Sequence, residues 1–259
     1  MKFIDTHAHL YLEQFKDDLQ IVMERARECL HGIYLPNIDS KTIESMHQLE
    51  KDFPNFCYAM MGLHPCSVNE HYQNELAILK SHLEDRPYVA IGEIGTDLYW
   101  DKTTFDIQEK AFRTQLNWAK EMSLPVVIHS RDSLVENIRI VKDEQDGSLK
   151  GIFHCFNGTV DQAKAIAELG FLVGAGGVLT FKNAGMKEIF KEIPLSQIVL
   201  ETDAPYLTPV PFRGKRNESA YIPLIAEVLA MVKNESIAKV AEVTNRNAMA
   251  LYHPSQIFK

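Results

Sequence analysis

Short runs of β-branched and aromatic residues alternate along this chain with longer segments whose apolar residues return every three or four positions. The runs begin near Lys2, Gly32, Phe56, Tyr88, Pro125, Gly151, Gly170 and Gln197. Apolar spacing of three and four marks the buried face of a helix. After the first run, Leu19, Val22, Met23, Ala26 and Leu30 keep that spacing, and His31-Gly32 is the expected close of the helix. After the sixth, Ala163, Ile166 and Ala167 predict a stripe that ends at Gly170. The segment from Tyr221 to Tyr252 predicts two helices divided near Lys233-Asn234-Glu235.

Eight strand-then-helix units follow from this pattern, in a length usual for a (β/α)8 barrel. Such alternation favours a parallel sheet. A doubly wound open sheet is the competitor, but no GxGxxG run follows a strand. No low-complexity linker and no internal repeat divides the chain. Residues 1–259 are therefore read as one α/β domain, a (β/α)8 TIM-type barrel.

In a parallel barrel the C-terminal ends of all strands meet at one face, where active sites form. Phe3-Ile4-Asp5-Thr6 reads as a short buried strand that delivers His7 and His9, two residues apart and so on one side. Paired imidazoles suit a divalent transition metal, but two ligands are too few for a catalytic one. Other strand ends supply more: Glu93, His129, His154 and Asp203. With His7 and His9 they match a hydrolytic metal centre of one or two ions.

Around them several residues keep two readings. His64 is either a substrate contact or structural support. Glu201, two before Asp203 and one layer deeper, is either a base or a buried acid that orients a metal-bound histidine. Arg131, two after His129, holds an anion at the mouth or forms a surface ion pair. Arg213-Gly214-Lys215-Arg216 is a basic loop, solvated on its own but a phosphate clamp if close to a metal. Cys155 neighbours His154, so alternation turns it away, and the cysteines are left to the core. His31, His47, His71, His82 and His253 fall in helices, loops or the tail, with solvated roles.

Charge narrows the partners. There are 27 basic and 35 acidic residues, a net charge of −8, which argues against a generally basic nucleic-acid binder. An enzyme whose bound cations supply positive charge locally remains. Four cysteines without a CxxC pair indicate free thiols in a reducing cytoplasm. No signal pattern opens the chain, and the most apolar stretch, Phe171 to Phe181, is too short for a bilayer and broken by glycines. No membrane association is expected, and no coiled-coil or swapped segment predicts an oligomer.

Taken together, Phe3-Ile4-Asp5-Thr6-His7-Ala8-His9, Gly62-Leu63-His64-Pro65, Ile91-Gly92-Glu93-Ile94-Gly95, His129-Ser130-Arg131, His154-Cys155-Phe156 and Leu200-Glu201-Thr202-Asp203-Ala204-Pro205 resemble the TatD family of metal-dependent deoxyribonucleases, within the amidohydrolase superfamily. Arg213-Gly214-Lys215-Arg216-Asn217-Glu218 and the closing Asn247-Ala248 resemble it too. Three positions depart: Thr96 stands where leucine is usual, Asn157 replaces serine, and Ser219 replaces proline. None removes a ligand. The resemblance implies a TIM-type barrel with two divalent ions (Mg, Mn, Zn or Ni) that hydrolyses phosphodiester bonds of DNA. His7, His9 and Asp203 would bind one ion, His129 and His154 the other, and Glu93 would bridge.

On this reading Asp203 or Glu201 takes the water's proton, and the substrate is DNA, single-stranded or at frayed ends. His64, Arg131, Arg213 and Lys215 would contact it. One rival is a metal-dependent ester or amide hydrolase on the same barrel, such as an aminoacyl-tRNA deacylase. Another is a nucleic-acid-binding scaffold with a structural metal, which the charge and the lack of interleaved basic and aromatic residues disfavour.

Overall fold

Side chains of a strand point alternately to its two faces, and here the two faces build two separate apolar cores. The computed structural model describes residues 1–252; His253 lies outside them. The strands are β1 (Phe3–Asp5), β2 (Leu30–Leu35), β3 (Cys57–Ala59), β4 (Ile91–Asp97), β5 (Val126–Arg131), β6 (Gly151–Phe153), β7 (Phe171–Ala175) and β8 (Ile198–Leu200). One face packs outward on the helices through residues such as Ile33, Val126, Ile128, Phe153 and Val173. The other face fills the interior with Ile4, Tyr34, Tyr58, Met60, Ala90, Val127, Ile152 and Val199.

The intervening helices are α1 (Leu19–Cys29), α2 (Ile43–Asp52), α3 (Tyr72–Asp85), α4 (Phe105–Met122), α5 (Leu134–Glu144), α6 (Val160–Glu168) and α7 (Met186–Glu192). Two more, α8 (Ile222–Lys233) and α9 (Ile237–Tyr252), follow β8, divided where the sequence pattern predicts. From α9, Ala248, Leu251 and Tyr252 join the interior core, and Tyr252 stacks on Tyr34. The Asn247 amide donates to the Leu195 and Ile198 carbonyls at 3.0 and 2.8 Å, which ties α9 to the start of β8. No helix among the described residues is long and apolar enough to cross a membrane.

All strand pairs are parallel, and the fold is a (β/α)8 TIM-type barrel. Its ring is not one continuous sheet. β1-β2-β3 and β4 to β8 form two sheets, joined by single bridges, Met61 with Ile91 and Ala8 with Ala204. At the second joint His9 N–H donates to the Ala204 carbonyl (2.7 Å) and Asp203 N–H to that of His7 (2.9 Å). Closure of the ring thus draws together residues that the sequence separates by about three quarters of its length. At the first joint the chains approach so closely that a Cβ on Gly62 would lie 2.8 Å from the Gly92 carbonyl carbon.

Two helix expectations need correction. α1 ends at Cys29, and Leu30 is already extended (φ −118, ψ 153), so Leu30-His31-Gly32 opens β2 and no glycine cap is used. Gly32 stands instead beneath the Tyr58 ring, 3.0 Å from where its Cβ would be. In α6 the stripe is Ala163 and Ile166, while Ala167 faces solvent. Leu169 packs on the core in its place.

Candidate metal centre

The interior face continues upward into polar residues. His129 shares the parity of Val127, His154 that of Ile152, and Glu201 and Asp203 that of Val199, so the site is the top layer of the barrel interior. Glu93 arrives differently. The β4–β5 register pairs Gly92 with Val127 and Ile94 with Ile128, which leaves Glu93 as the extra residue of a bulge. A bulge re-aims a side chain, and this one turns Glu93 inward while Ile91 and Ile94 stay in the outer core.

Glu93 is the hub. Its Oε2 lies 3.2 Å from His7 Nε2 and 3.3 Å from His9 Nε2. Its Oε1 lies 2.7 Å from His154 Nε2, 2.9 Å from His129 Nδ1 and 3.5 Å from His64 Nε2. Asp203 Oδ1 stands 3.6 and 3.8 Å from His7 and His9 Nε2. Asp203 holds a left-handed backbone (φ 58), a conformation aspartate tolerates better than most residues. The expected set His7, His9, Glu93, His129, His154 and Asp203 is brought together.

Hydrogen bonds behind the rings set which nitrogen faces inward. Tyr11 OH donates to the Pro36 carbonyl (2.5 Å), so it accepts from His9 Nδ1 (2.8 Å). That leaves a lone pair on His9 Nε2. Asp97 Oδ2 accepts from His129 Nε2 (2.9 Å), which leaves a lone pair on Nδ1. His64 is the reverse: its Nδ1 accepts the Cys66 N–H (3.0 Å), so the neutral ring carries its proton on Nε2.

Facing lone pairs repel unless something positive lies between them. His7 and His9 Nε2 approach to 3.2 Å, and His154 Nε2 and His129 Nδ1 to 3.4 Å. With carboxylate oxygens beside each pair, this donor set fits divalent cations, and the two Glu93 oxygens face different histidine pairs as a bridging carboxylate would. Nitrogen and oxygen donors without thiolate suit zinc, manganese or nickel, and carboxylates admit magnesium.

The protein groups alone are electrostatically tense. Burial would raise the Glu93 carboxyl, but His154, His64 and His7 hold it well below the usual carboxylate range. Burial opposes charge on His154 as well, yet Glu93 and Glu201 raise it to about 9. His7, stacked on it at 3.9 Å, is driven well below the ordinary imidazole value by burial and by His154. Burial also pushes Glu201 up to about 8 and Asp5 up to about 6.

Glu201 sits under the site and does not line the cleft. Fully buried, it accepts the Cys155 N–H and lies 3.8 Å from His154 Nδ1, so of its two readings the geometry favours the acid that orients a histidine. Space for it exists because residue 174 is glycine, where a Cβ would come within 2.2–2.6 Å of the carboxylate. Gly174→Ala is expected to destabilise the fold by about 1–3 kcal/mol through overpacking, read as a lower urea midpoint. An unchanged midpoint would mean that Glu201 moves aside freely.

Above this layer opens a cleft of about 730 Å³ whose lining includes His9, His64, Glu93, Asp97, Trp100, His129, Arg131, His154, Asp203 and Tyr206. Arg131 and His64 are therefore where they were expected. Arg213 and Lys215 are not. Arg213 lies over the Phe181 ring (3.7 Å) and lines a separate surface depression, Lys215 lies 5.6 Å from the Phe212 ring, and Arg216 is paired to Asp18 at 2.6 Å. Cys155 also departs from expectation: left-handed at φ 47, it escapes strand alternation and lines the cleft. His31 and His71 are exposed as expected, whereas His47, which bonds Tyr88 OH (2.8 Å), and His82 are half-buried.

Three residues escape the sequence reading. Asp97 stands four after Glu93 on the same strand face, a parity that could have found it. Asp5 clamps the two strand ends, accepting the Thr202 hydroxyl (2.6 Å), the Thr202 N–H (3.0 Å) and the His7 N–H (3.3 Å). Tyr11 follows His9 by two, but its role depends on a carbonyl that pattern cannot place. Tyr11→Phe removes the acceptor that fixes the His9 tautomer. Metal affinity is expected to fall about tenfold, measured by competition with a chromophoric chelator, and equal affinity would count against the tautomer argument.

Comparison with known proteins agrees with this geometry. The family described as TatD related DNase matches residues 4–253. The uncharacterized metal-dependent hydrolase YabD of Bacillus subtilis is 41% identical over 250 residues, covering 96% of this chain and 98% of its own. YcfH of Escherichia coli, described in the same words, is 30% identical over 98% of this chain and 96% of its own. The crystal structure of YjjV, a TatD homolog of Escherichia coli, superposes with a TM-score of 0.90 at 29% identity, covering 97% of this chain and 98% of that one. The chain belongs to the TatD family of metal-dependent hydrolases.

Proposed function

We propose that the protein hydrolyses phosphodiester bonds of DNA, at single-stranded or frayed ends, with two divalent cations. The observation that carries this reading is the Glu93 carboxylate, whose two oxygens face two different histidine pairs at the floor of a cleft edged by Arg131. His7, His9 and Asp203 would hold one cation and His129 and His154 the other, with Glu93 shared. Such cations supply a water acidic enough to ionise near neutral pH and charge against the phosphoryl oxygens.

The chain's own groups do the rest. Asp203, which lines the cleft, accepts the proton of the attacking water. His64, with its proton on Nε2, donates to a phosphoryl oxygen. Arg131 offsets charge at the mouth. Asp97 and Tyr11 orient His129 and His9 by hydrogen bonds, and the Glu201 carboxylate, 3.8 Å from His154 Nδ1, supplies negative charge behind that ring. Free thiols at Cys29, Cys57, Cys66 and Cys155 fit a reducing compartment, the cytoplasm.

The test is turnover of 5′- and 3′-labelled single- and double-stranded oligonucleotides with a metal series and chelator controls, beside aminoacyl esters and simple amides. Metal-dependent shortening of the oligonucleotides supports the reading. Turnover of the esters or amides alone overturns it.

A further inference from the structure

Among the described residues the exposed aromatic rings are Tyr99 (52%), Trp100 (71%) and Tyr206 (49%). All three belong to one cleft. Trp100 and Tyr206 line the cleft, and Tyr99 packs edge-on against Trp100 with centroids 4.9 Å apart. A lone exposed ring needs no explanation, but a cluster at the mouth of a catalytic cleft does.

The cluster is charged and anchored. The Arg131 guanidinium lies 3.7 Å from the Tyr99 ring centre and 5.2 Å from that of Trp100. Arg131 also lines the cleft, and no carboxylate pairs with it among the described residues, so its charge is available to an anion. Asp97 holds the loop beneath: its Oδ1 accepts the Tyr99 N–H (3.0 Å) and the Trp100 N–H (3.4 Å), while its Oδ2 meets His129. One carboxylate therefore ties the backbone that carries the indole to the histidine cluster.

We propose that Trp100 is the stacking surface for an unpaired nucleobase beside the scissile phosphate, with Arg131, seated on Tyr99, meeting the adjoining phosphate. This deepens the nuclease reading and rests on it. A flat π-face beside an unpaired guanidinium is the pairing that single-stranded nucleic acid requires, since every base offers a face and every nucleotide a charge. A base inside a duplex has its faces covered by its neighbours. Only a strand end or a single strand can use Trp100, whether its backbone is DNA or RNA.

The chain has two tryptophans, and Trp118 is buried at 7% exposure, so quenching of emission by a bound base reports on Trp100. The experiment follows that quenching in the native protein and, for every variant, reads binding as the anisotropy of fluorescein-labelled phosphorothioate pentanucleotides of DNA and of RNA titrated with the metal-loaded protein, each with a normal or an abasic terminal residue. KM and kcat are then measured on the cleavable forms. In the native protein an abasic end should weaken binding about tenfold, and Trp100→Ala should weaken the normal oligonucleotide by about the same factor. In Trp100→Ala the abasic end should cost nothing more, and Trp100→Phe should restore most of the affinity. The change should appear in KM with kcat little altered.

If Trp100→Ala binds and cleaves like the native protein, or the abasic end costs nothing, the stacking role is overturned and the nuclease reading stands. If the native protein neither binds nor cleaves any of the oligonucleotides, both fall together.

Discussion

Glu93→Ala should remove hydrolysis, with a loss on the order of a thousandfold or more. The reason lies in the number of rings that share this one carboxylate. Its Oε1 and Oε2 together stand within 3.5 Å of nitrogens from His7, His9, His64, His129 and His154. Without it, two groups of imidazoles face each other with no common anion between them, and cations of like charge would repel across the gap. Bound metal should fall by at least one equivalent per chain, measured by elemental analysis after dialysis. The fold should survive, because the neighbouring histidines can be neutral and the apolar core lies beneath the site. Asp203→Ala should lose the cation beside His7 and His9 with a comparable drop in rate. Full activity in the purified double variant, with its metal retained, would sink the assignment.

How much of this site the sequence makes legible depends on where each residue sits relative to a regular strand. His129, His154 and Asp203 follow Val127, Ile152 and Val199 at steps of two or four, so alternation alone puts them in the interior. His7 and His9 face the same way, as residues two apart should, and meet at 3.2 Å; they stand three and five after the interior Ile4, beyond the end of β1, so alternation from that residue does not place them inside. Glu93 is found as a strand-end acid, but its inward aim comes from the bulge, and no local pattern announces a bulge at Gly92-Glu93-Ile94. Cys155 shows the opposite failure. Alternation is a rule for extended backbone, and one left-handed residue after β6 reverses its answer.

Loops defeat the reading most thoroughly. Arg131 belongs to β5 and lies in the cleft as parity suggests, whereas Arg213 and Lys215 follow β8 by many residues. Arg213 lies over the Phe181 ring and Lys215 stands 5.6 Å from that of Phe212. A run of basic residues carries no information about which way a loop folds back. The fold class suffers less, because eight repeats of strand and helix average over local errors such as the misplaced end of α1. The gap the pattern misses is topological. Two single bridges, not continuous ladders, close the ring, and one of them lies at the metal ligands themselves.

His64→Ala separates ligands from donors within the same cluster. His64 Nε2 is 3.5 Å from Glu93 Oε1, close enough for His64 to be grouped with Glu93 and His129 as a possible cation site. The Cys66 N–H decides otherwise. By occupying Nδ1 it assigns the proton to Nε2, and burial, which lowers the pKa of this ring, keeps it neutral. A nitrogen that bears a proton donates and does not ligate. His64→Ala should therefore lower kcat about a hundredfold, the effect of losing one donor to the developing charge, while metal content stays at the native value. His64→Gln, whose amide carries a donor, should recover part of the rate. Loss of metal from His64→Ala in step with its activity would make His64 a ligand and reverse the tautomer argument.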